Sequence, residues 1–263
     1  MNNTVLKWVG SKVKVMAELK KHLPAGDRLV EPFAGSCAVM MNTDYPAYLV
    51  ADINADLINL YVQIKEHENE FLSLAAQVFA QNKTEERYFA IRAEFNNEPA
   101  LSVLYRAVYF LYLNRHGYRG VCRYNLGGGF NVAFEKISKP YFPEKEVSAF
   151  AAKSHRATFV CAGFADTLAL VRHGDVIYID PPYDGTFSKY HTQGFGRSEH
   201  IKLAAAVQQL HSLGYPVVVS NSDTQFTREA YTGFEINSIT TFRSIGVAAG
   251  TGKKAAEIVA VSR

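Results

Sequence analysis

The sequence predicts an α/β fold: a mostly parallel sheet flanked by helices and interrupted by one helical insertion. Three observations carry this. Short β-branched runs alternate with helical patterns near both ends of the chain, as βα units require. The middle, 56–145, has helical periodicity and no strand alternation until Val121. Two late runs, Phe234 to Thr241 and Glu257 to Val261, read as a closing antiparallel pair. The 263 residues therefore divide into an α/β unit made of 1–55 and 146–263 and a helical insertion made of 56–145.

Ser11 to Lys21 places Val13, Met16, Ala17 and Leu19 on one helical face. Arg28 to Glu31 is a short strand, followed by the turn Pro32-Phe33-Ala34-Gly35-Ser36 and a helix start at Cys37 to Asn42. Tyr48 to Ala51 is a second strand, ending at Asp52. Asp56 to Glu68, Phe71 to Ala80, Thr84 to Glu94 and the very apolar Leu101 to Leu113 read as helices. The stretch NRHGYRGVCRYNLGGGFN that follows is a long irregular loop or a small hairpin. Loops of that length within compact domains usually serve function. Strands resume at Thr158 to Cys161, Val176 to Ile179 and Tyr215 to Ser220. Glu199 to Ser212 is a helix, with Ile201, Leu203, Ala204, Val207 and Leu210 at helical spacing.

Hydrophobic residues make up 48% and charged residues 20%, the balance of a water-soluble globule. No apolar run is long enough to span a membrane and no signal peptide opens the chain, so a cytoplasmic location is expected. Cys37, Cys122 and Cys161 are far apart and read as reduced, packed thiols. The eight histidines lack ligand spacing, so no metal is expected. Net charge is only +3, but Leu101 to Pro140 holds six cations against one acid, Glu135. Those cations are Arg106, Arg115, Arg119, Arg123, Lys136 and Lys139, interleaved with Tyr and Asn. The pattern suits a polyanion partner, although a solvated basic face gives the same count.

Two motifs sit at strand ends. In LVEPFAGSC, Gly35 lets the backbone approach a ligand, and the helix start offers free N–H groups. Asp52, seventeen residues after Gly35 at the end of the next strand, is placed like the acid that binds ribose hydroxyls in dinucleotide folds. G-x-G-x-x-G is absent, so the turn better suits an adenosine ligand without phosphates, such as S-adenosylmethionine. An ordinary strand–turn–helix capped by Ser36 has the same sequence. GTGKK at 250–254 superficially resembles a phosphate loop, but Val247 stands where that loop needs glycine.

The second motif is VIYIDPPYDG. Pro181 and Pro182 lack N–H groups and fix φ, so the strand ends in a stiff corner bearing Asp180 and Tyr183. By itself this is also a plain strand-ending turn. Beside an adenosine site it has a chemical use. An adenine amino group is a weak nucleophile that must become more tetrahedral to attack a methyl sulfonium. Asp180 can accept one amino hydrogen, the Pro181 carbonyl the other, and Tyr183 can stack on the base. Losing one such preorganised group typically costs about a hundredfold in rate. A base paired in a duplex must be rotated out first, at a cost of a few kcal/mol. Tyr118 is a candidate wedge for the gap, and the Arg123 fork matches O6 and N7 of guanine.

With these residues in place, the chain resembles the DNA adenine methylase family of N6-adenine methyltransferases that recognise GATC. The likeness runs nearly end to end, through LKWVGSK, LVEPFAGSCAVMMNTDYPAYLVADINADLI, FLYLNRHGYRGVCRYNLGGGFNVAF, KPYFPEKE, GFAD, YIDPPY, YHTQGF, VVVSNSDTQFTREAY and RSI. The resemblance implies a Rossmann-like S-adenosylmethionine-dependent methyltransferase core with a mostly α-helical target-recognition insertion. It implies that Trp8, Lys12, Glu31, Pro32, Phe33, Asp52, Asp166 and Asp180 surround S-adenosylmethionine. Lys7 and Arg123 would read base edges, Tyr118 would intercalate and Asn125 would contact phosphate. Val121 and Ala133 match a Leu position contacting a thymine methyl and a Pro position nearby, and Arg119 replaces an Asn beside the wedge. The loop DGTFSK after Tyr183 is shorter than in the family member it is matched to.

The expected activity is methyl transfer from S-adenosylmethionine to N6 of a flipped-out adenine in duplex DNA, within GATC, with no obligate protein partner. N4-cytosine methylation uses the same acceptor geometry, and a catalytically silent DNA-binding module is a third reading. Tyr183 rather than Trp after the proline pair favours adenine over cytosine.

Overall fold

The computed structural model describes residues 1–136, 140–183, 195–243 and 253–262. Lys139, most of the loop after Tyr183 and most of GTGKK lie outside them. Among the described residues, seven strands form one sheet in the order β3-β2-β1-β4-β5-β7-β6. These are β1 (Arg28–Glu31), β2 (Ala47–Asp52), β3 (Ala157–Cys161), β4 (Asp175–Ile179), β5 (Val217–Ser222), β6 (Glu235–Arg243) and β7 (Lys253–Val261). The first five are mutually parallel, whereas β7 runs antiparallel between β5 and β6. Strands β1, β2, β4 and β5 are almost wholly buried because both their faces are covered, whereas edge strand β3 is partly exposed. Alternate residues face opposite layers: Leu29, Tyr48 and Val176 join one core cluster, and Val30, Leu49 and Ile177 join the other.

The first layer holds α1 (Met16–Leu19), α2 (Ala38–Asn42) and α3 (Ala55–Glu66). It continues into α4 (Glu68–Gln81), α5 (Glu85–Asn97), α6 (Val103–His116) and α7 (Glu144–Ser154). The second layer holds α8 (Phe164–Leu168), α9 (Arg197–Ser212) and α10 (Gln225–Ala230). The expected Ser11 to Lys21 helix is divided: a 3₁₀ turn, Lys12–Val15, leads into the single turn of α1 and a second 3₁₀ turn, Lys20–His22. Residues Ala107 to His116 of α6 are all buried, so this helix forms the centre of the insertion. Asn54 caps α3 by accepting from the N–H groups of Asp56 and Leu57. Tyr61 of α3 stacks on Phe150 of α7 and lies against Phe159 of β3.

At the amino ends of the central strands, the Arg28 guanidinium grips buried Asp175 through two bonds, 2.9 and 2.7 Å long. The opposite, carboxyl ends are left for function. Strand order reverses between β1 and β4, and open α/β sheets hold ligands at the carboxyl ends beside such a reversal. No helix of the described residues is long and apolar enough to cross a membrane.

Candidate functional site

Three strand ends meet at that reversal. Beyond β1, Gly35 has φ +46°, and a Cβ built on it would stand 2.8 Å from Trp8 Nε1. Only glycine holds this turn with the indole so close. Asp52 ends β2 and binds the turn: Oδ2 accepts from Gly35 N–H at 3.1 Å and Oδ1 from Asn54 N–H at 3.0 Å. Tyr61 donates to the Gly35 carbonyl from below. Pro32 is buried, and Phe33 stands at the mouth with Phe164 stacked at 5.9 Å and Phe195 edge-on at 5.6 Å. Asp166 is exposed on α8, in the segment that follows β3.

Glu31, the last residue of β1, is 2% exposed, and among the described residues its Oε1 has no hydrogen-bond partner. Burial pushes its carboxyl up to about 8; a Met40 backbone hydrogen bond opposes this and the nearby Asp180 charge adds to it. A buried carboxyl oxygen without a protein partner can take a polar group of a ligand.

Beyond β4, Asp180 meets the Lys12 ammonium at 2.7 Å. Burial pushes the Asp180 carboxyl up to about 6, with Lys12 acting against the rise and Glu257 adding to it. Lys12 is itself buried, donates to the Gly10 carbonyl at 3.2 Å and lies 4.8 Å from the centre of the Tyr183 ring. The Tyr183 hydroxyl donates to Glu257 Oε2 at 2.8 Å. Pro181 is buried and Pro182 half-buried. Asp180, Tyr183, Lys12 and Glu257 therefore form one connected polar cluster.

The basic stretch is a hairpin. Bridges pair Gly117 with Phe134 and Tyr124 with Phe130, and hydrogen bonds join Tyr118 to Ala133, Arg123 to Asn131 and Asn125 to Gly129. Tyr118 is 49% exposed at a sharp turn, next to Arg119 at φ +52° and Gly120 at φ +65°. The Arg119 guanidinium lies over the Tyr118 ring at 5.3 Å, while its N–H bonds Glu135. Val121 is half-buried, and Ala133, Arg123 and Asn125 are exposed. The Arg123 fork rests on the Asn131 carbonyl, and Asn125 Oδ1 accepts from Gly129 N–H. Leu126 caps the tip at 93% exposure.

Two of the six cations counted in this region face inward. Arg106 pairs with Asp56 at 2.6 Å, and buried Arg115 donates to the carbonyls of Val5 and Thr4. They secure the fold, so the outward charge is smaller than the sequence count. Lys7 joins hairpin and site. Buried Asn114 holds both its N–H and its C=O and also bonds the Gly120 carbonyl. Burial lowers the Lys7 pKa, with the Glu135 charge working against this.

Sequence reasoning missed Glu257, Asn114, Tyr61 and the Phe164–Phe195 pair. Glu257 and Tyr61 lie in ordinary periodic runs, Asn114 opens the stretch read as a loop, and Phe164 and Phe195 lie in GFAD and YHTQGF with no role assigned; only the fold shows what they touch.

Comparison with known proteins completes the picture. The family model of D12 class N6 adenine-specific DNA methyltransferases matches residues 8–245. The chain is 57% identical over 260 residues to the Retron Ec67 DNA adenine methylase of Escherichia coli, covering 99% of this chain and 91% of that protein. It is 42% identical over 266 residues to the DNA adenine methylase of Escherichia coli strain K12, covering 99% and 95%. With the DNA adenine methylase of Serratia marcescens the identity is 46% over 239 residues, covering 88% and 87%.

Proposed function

The chain belongs to the D12 class of N6 adenine-specific DNA methyltransferases, and from that premise we propose that it methylates N6 of a flipped-out adenine within GATC in duplex DNA, taking the methyl group from S-adenosylmethionine. Residues 1–55 and 146–263 act as the catalytic part and 56–145 as the target-recognition part.

The observation that carries the reading is the pairing of two features across the sheet reversal. Gly35, held by Asp52, offers a close backbone approach, and Asp180 with Tyr183 offers an acceptor beside an aromatic face. The residues fit an adenosine with a cationic tail. Asp52, at the end of β2 beside the Gly35 turn, is placed to meet ribose hydroxyls. Phe33 with Phe164 and Phe195 supplies an apolar flank for a base, and the unpartnered Glu31 Oε1 suits an ammonium. Trp8 and Pro32 close the sides, and Asp166 lies at the rim. Bound there, S-adenosylmethionine supplies an electrophilic methyl group on a sulfonium.

The chain's own residues do the rest. Tyr118 fills the gap left by the rotated base, while Lys7, Val121, Arg123 and Ala133 meet base edges, with Arg119 and Asn125 nearby. The Lys12 ammonium now occupies Asp180, so it must yield that oxygen to the incoming amine. Asp180 then accepts one amino hydrogen and the Pro181 carbonyl the other, which frees the nitrogen lone pair. Tyr183 holds the ring, and Pro182 keeps the corner stiff. Asp180 takes the proton only after the C–N bond has formed and the nitrogen has become acidic.

The test uses cofactor carrying a labelled methyl group and duplexes with and without GATC. Label should enter adenine of GATC and block enzymes sensitive to that methylation. Asp180→Ala should lose this activity while retaining DNA binding. Label in cytosine, equal labelling of both duplexes, or activity surviving in Asp180→Ala would each refute the assignment.

A further inference from the structure

We infer that Glu257 is a positioning residue for methyl transfer: it fixes the Tyr183 ring against the target base from β7, outside the three strand ends that build the site. The inference deepens the reading of Asp180–Tyr183 as the target pocket and rests on it.

Glu257 lies on β7, flanked in register by Ser222 of β5 and Ile239 of β6. It is 6% exposed, among the apolar residues Ile258, Val259 and Ala260. A carboxylate at that depth carries a desolvation cost unless it is well bonded. It accepts the Tyr183 hydroxyl at 2.8 Å, across 74 residues of chain. The corner bearing Tyr183 needs such a tether. Pro181 and Pro182 hold the backbone but leave the aromatic ring free to turn about its own side-chain bonds. The Glu257 carboxylate meets the ring at its hydroxyl end, and the Lys12 ammonium lies over its face. Lys12 is shared with Asp180, where the target amine arrives, whereas the Glu257 bond lies at the far end of the ring from the reacting atoms.

The bond also has an electronic effect. Donation to a carboxylate pushes electron density into the phenol ring and makes its face more negative. The attacking amine gains positive charge in the transition state, and a negative aromatic face stabilises a cation. The restraint is thus worth more in the transition state than in the ground state, so its loss should lower kcat rather than raise KM.

The two functions of the carboxylate can be separated by two small substitutions. Glu257→Gln keeps an acceptor at the right distance and removes the charge. Glu257→Asp keeps the charge and falls short of the hydroxyl. Tyr183→Phe removes the donor. In the whole protein, single-turnover methylation of a GATC duplex should drop about tenfold in Glu257→Asp and in Tyr183→Phe, a loss typical of a hydrogen bond to a charged group. KM for DNA and cofactor should stay within about twofold in both. Glu257→Gln should fall between the parent and Glu257→Asp, because it keeps the tether and loses the electronic effect. The double variant Glu257→Asp with Tyr183→Phe should be no slower than either single variant, because both break the same bond. Losses that multiply, a Glu257→Asp rate equal to the parent's, or an effect confined to KM would overturn the proposal. Asp180→Ala is measured alongside. If it keeps its activity, the pocket itself is misassigned, whatever the Glu257 variants do.

Discussion

Glu31→Gln should make the ligand-free protein more stable above neutral pH and leave it unchanged in acid. The side chain keeps its shape and loses only the ability to ionise. In the folded chain, burial holds the carboxyl protonated up to about pH 8, against an ordinary value of 4.5. The folded state therefore carries an extra proton across that window. Stability linked to this group is complete below pH 4.5 and is lost as pH rises through 8. Each tenfold change in proton affinity corresponds to ~1.4 kcal/mol, so the full penalty for keeping the carboxylate inside is about 5 kcal/mol. At pH 7 about 3 kcal/mol of it already applies. Glutamine avoids it. Urea unfolding at a series of pH values, parent against variant, should give curves that coincide near pH 4 and separate by several kcal/mol near pH 9. Parallel curves would mean that Glu31 is not held neutral and that the account of its environment is wrong. Cofactor adds a second signature. A cation beside Glu31 favours the carboxylate, so binding at pH 7 should expel a proton from the parent and not from the variant. Calorimetry in two buffers of different ionisation heat reads this directly.

Three further outcomes are expected. The methyl-transfer rate should fall as pH drops through about 6, because protonated Asp180 loses its role as acceptor; a flat single-turnover profile from pH 5 to 8 would contradict this. Gly35→Ala should weaken cofactor binding at least about tenfold, since its left-handed backbone costs ~1–2 kcal/mol and the new methyl displaces Trp8, as equilibrium titration would measure. Arg123→Ala should cost ~1–3 kcal/mol at one base pair, whereas equal loss on random duplexes would make Arg123 a phosphate contact.

The site was more legible in the sequence than its supports. Gly35, Asp52, Asp180 and Tyr183 announce themselves because glycine after a strand, an acid ending the next one and a proline pair are local signals. The sheet strands were legible for the same reason, being short β-branched runs. Glu257 and Asn114 gave no such signal. A buried acid and a buried amide differ from surface ones only in what surrounds them, and that depends on contacts many residues away. Charge misled in the same way: Arg106 and Arg115 look like part of a basic face, yet bond Asp56 and the amino-terminal carbonyls. Helix α7 was overlooked although Val147, Phe150, Ala151 and Ser154 repeat at helical spacing, because the loop-like stretch before it hides its start. Helix α8 is a single turn, too short for periodicity to reveal.

The reversed strand β7 ties distant parts of the sheet together. It lies in an interior lane between β5 and β6, and Ser262 just beyond it bonds Val217 at the start of β5. Through the Tyr183–Glu257 bond, the corner that follows β4 is moored to a strand two lanes away. A loosening of β7 would therefore be felt at Tyr183, while the Gly35 turn, held by Asp52 and Tyr61, kept its shape.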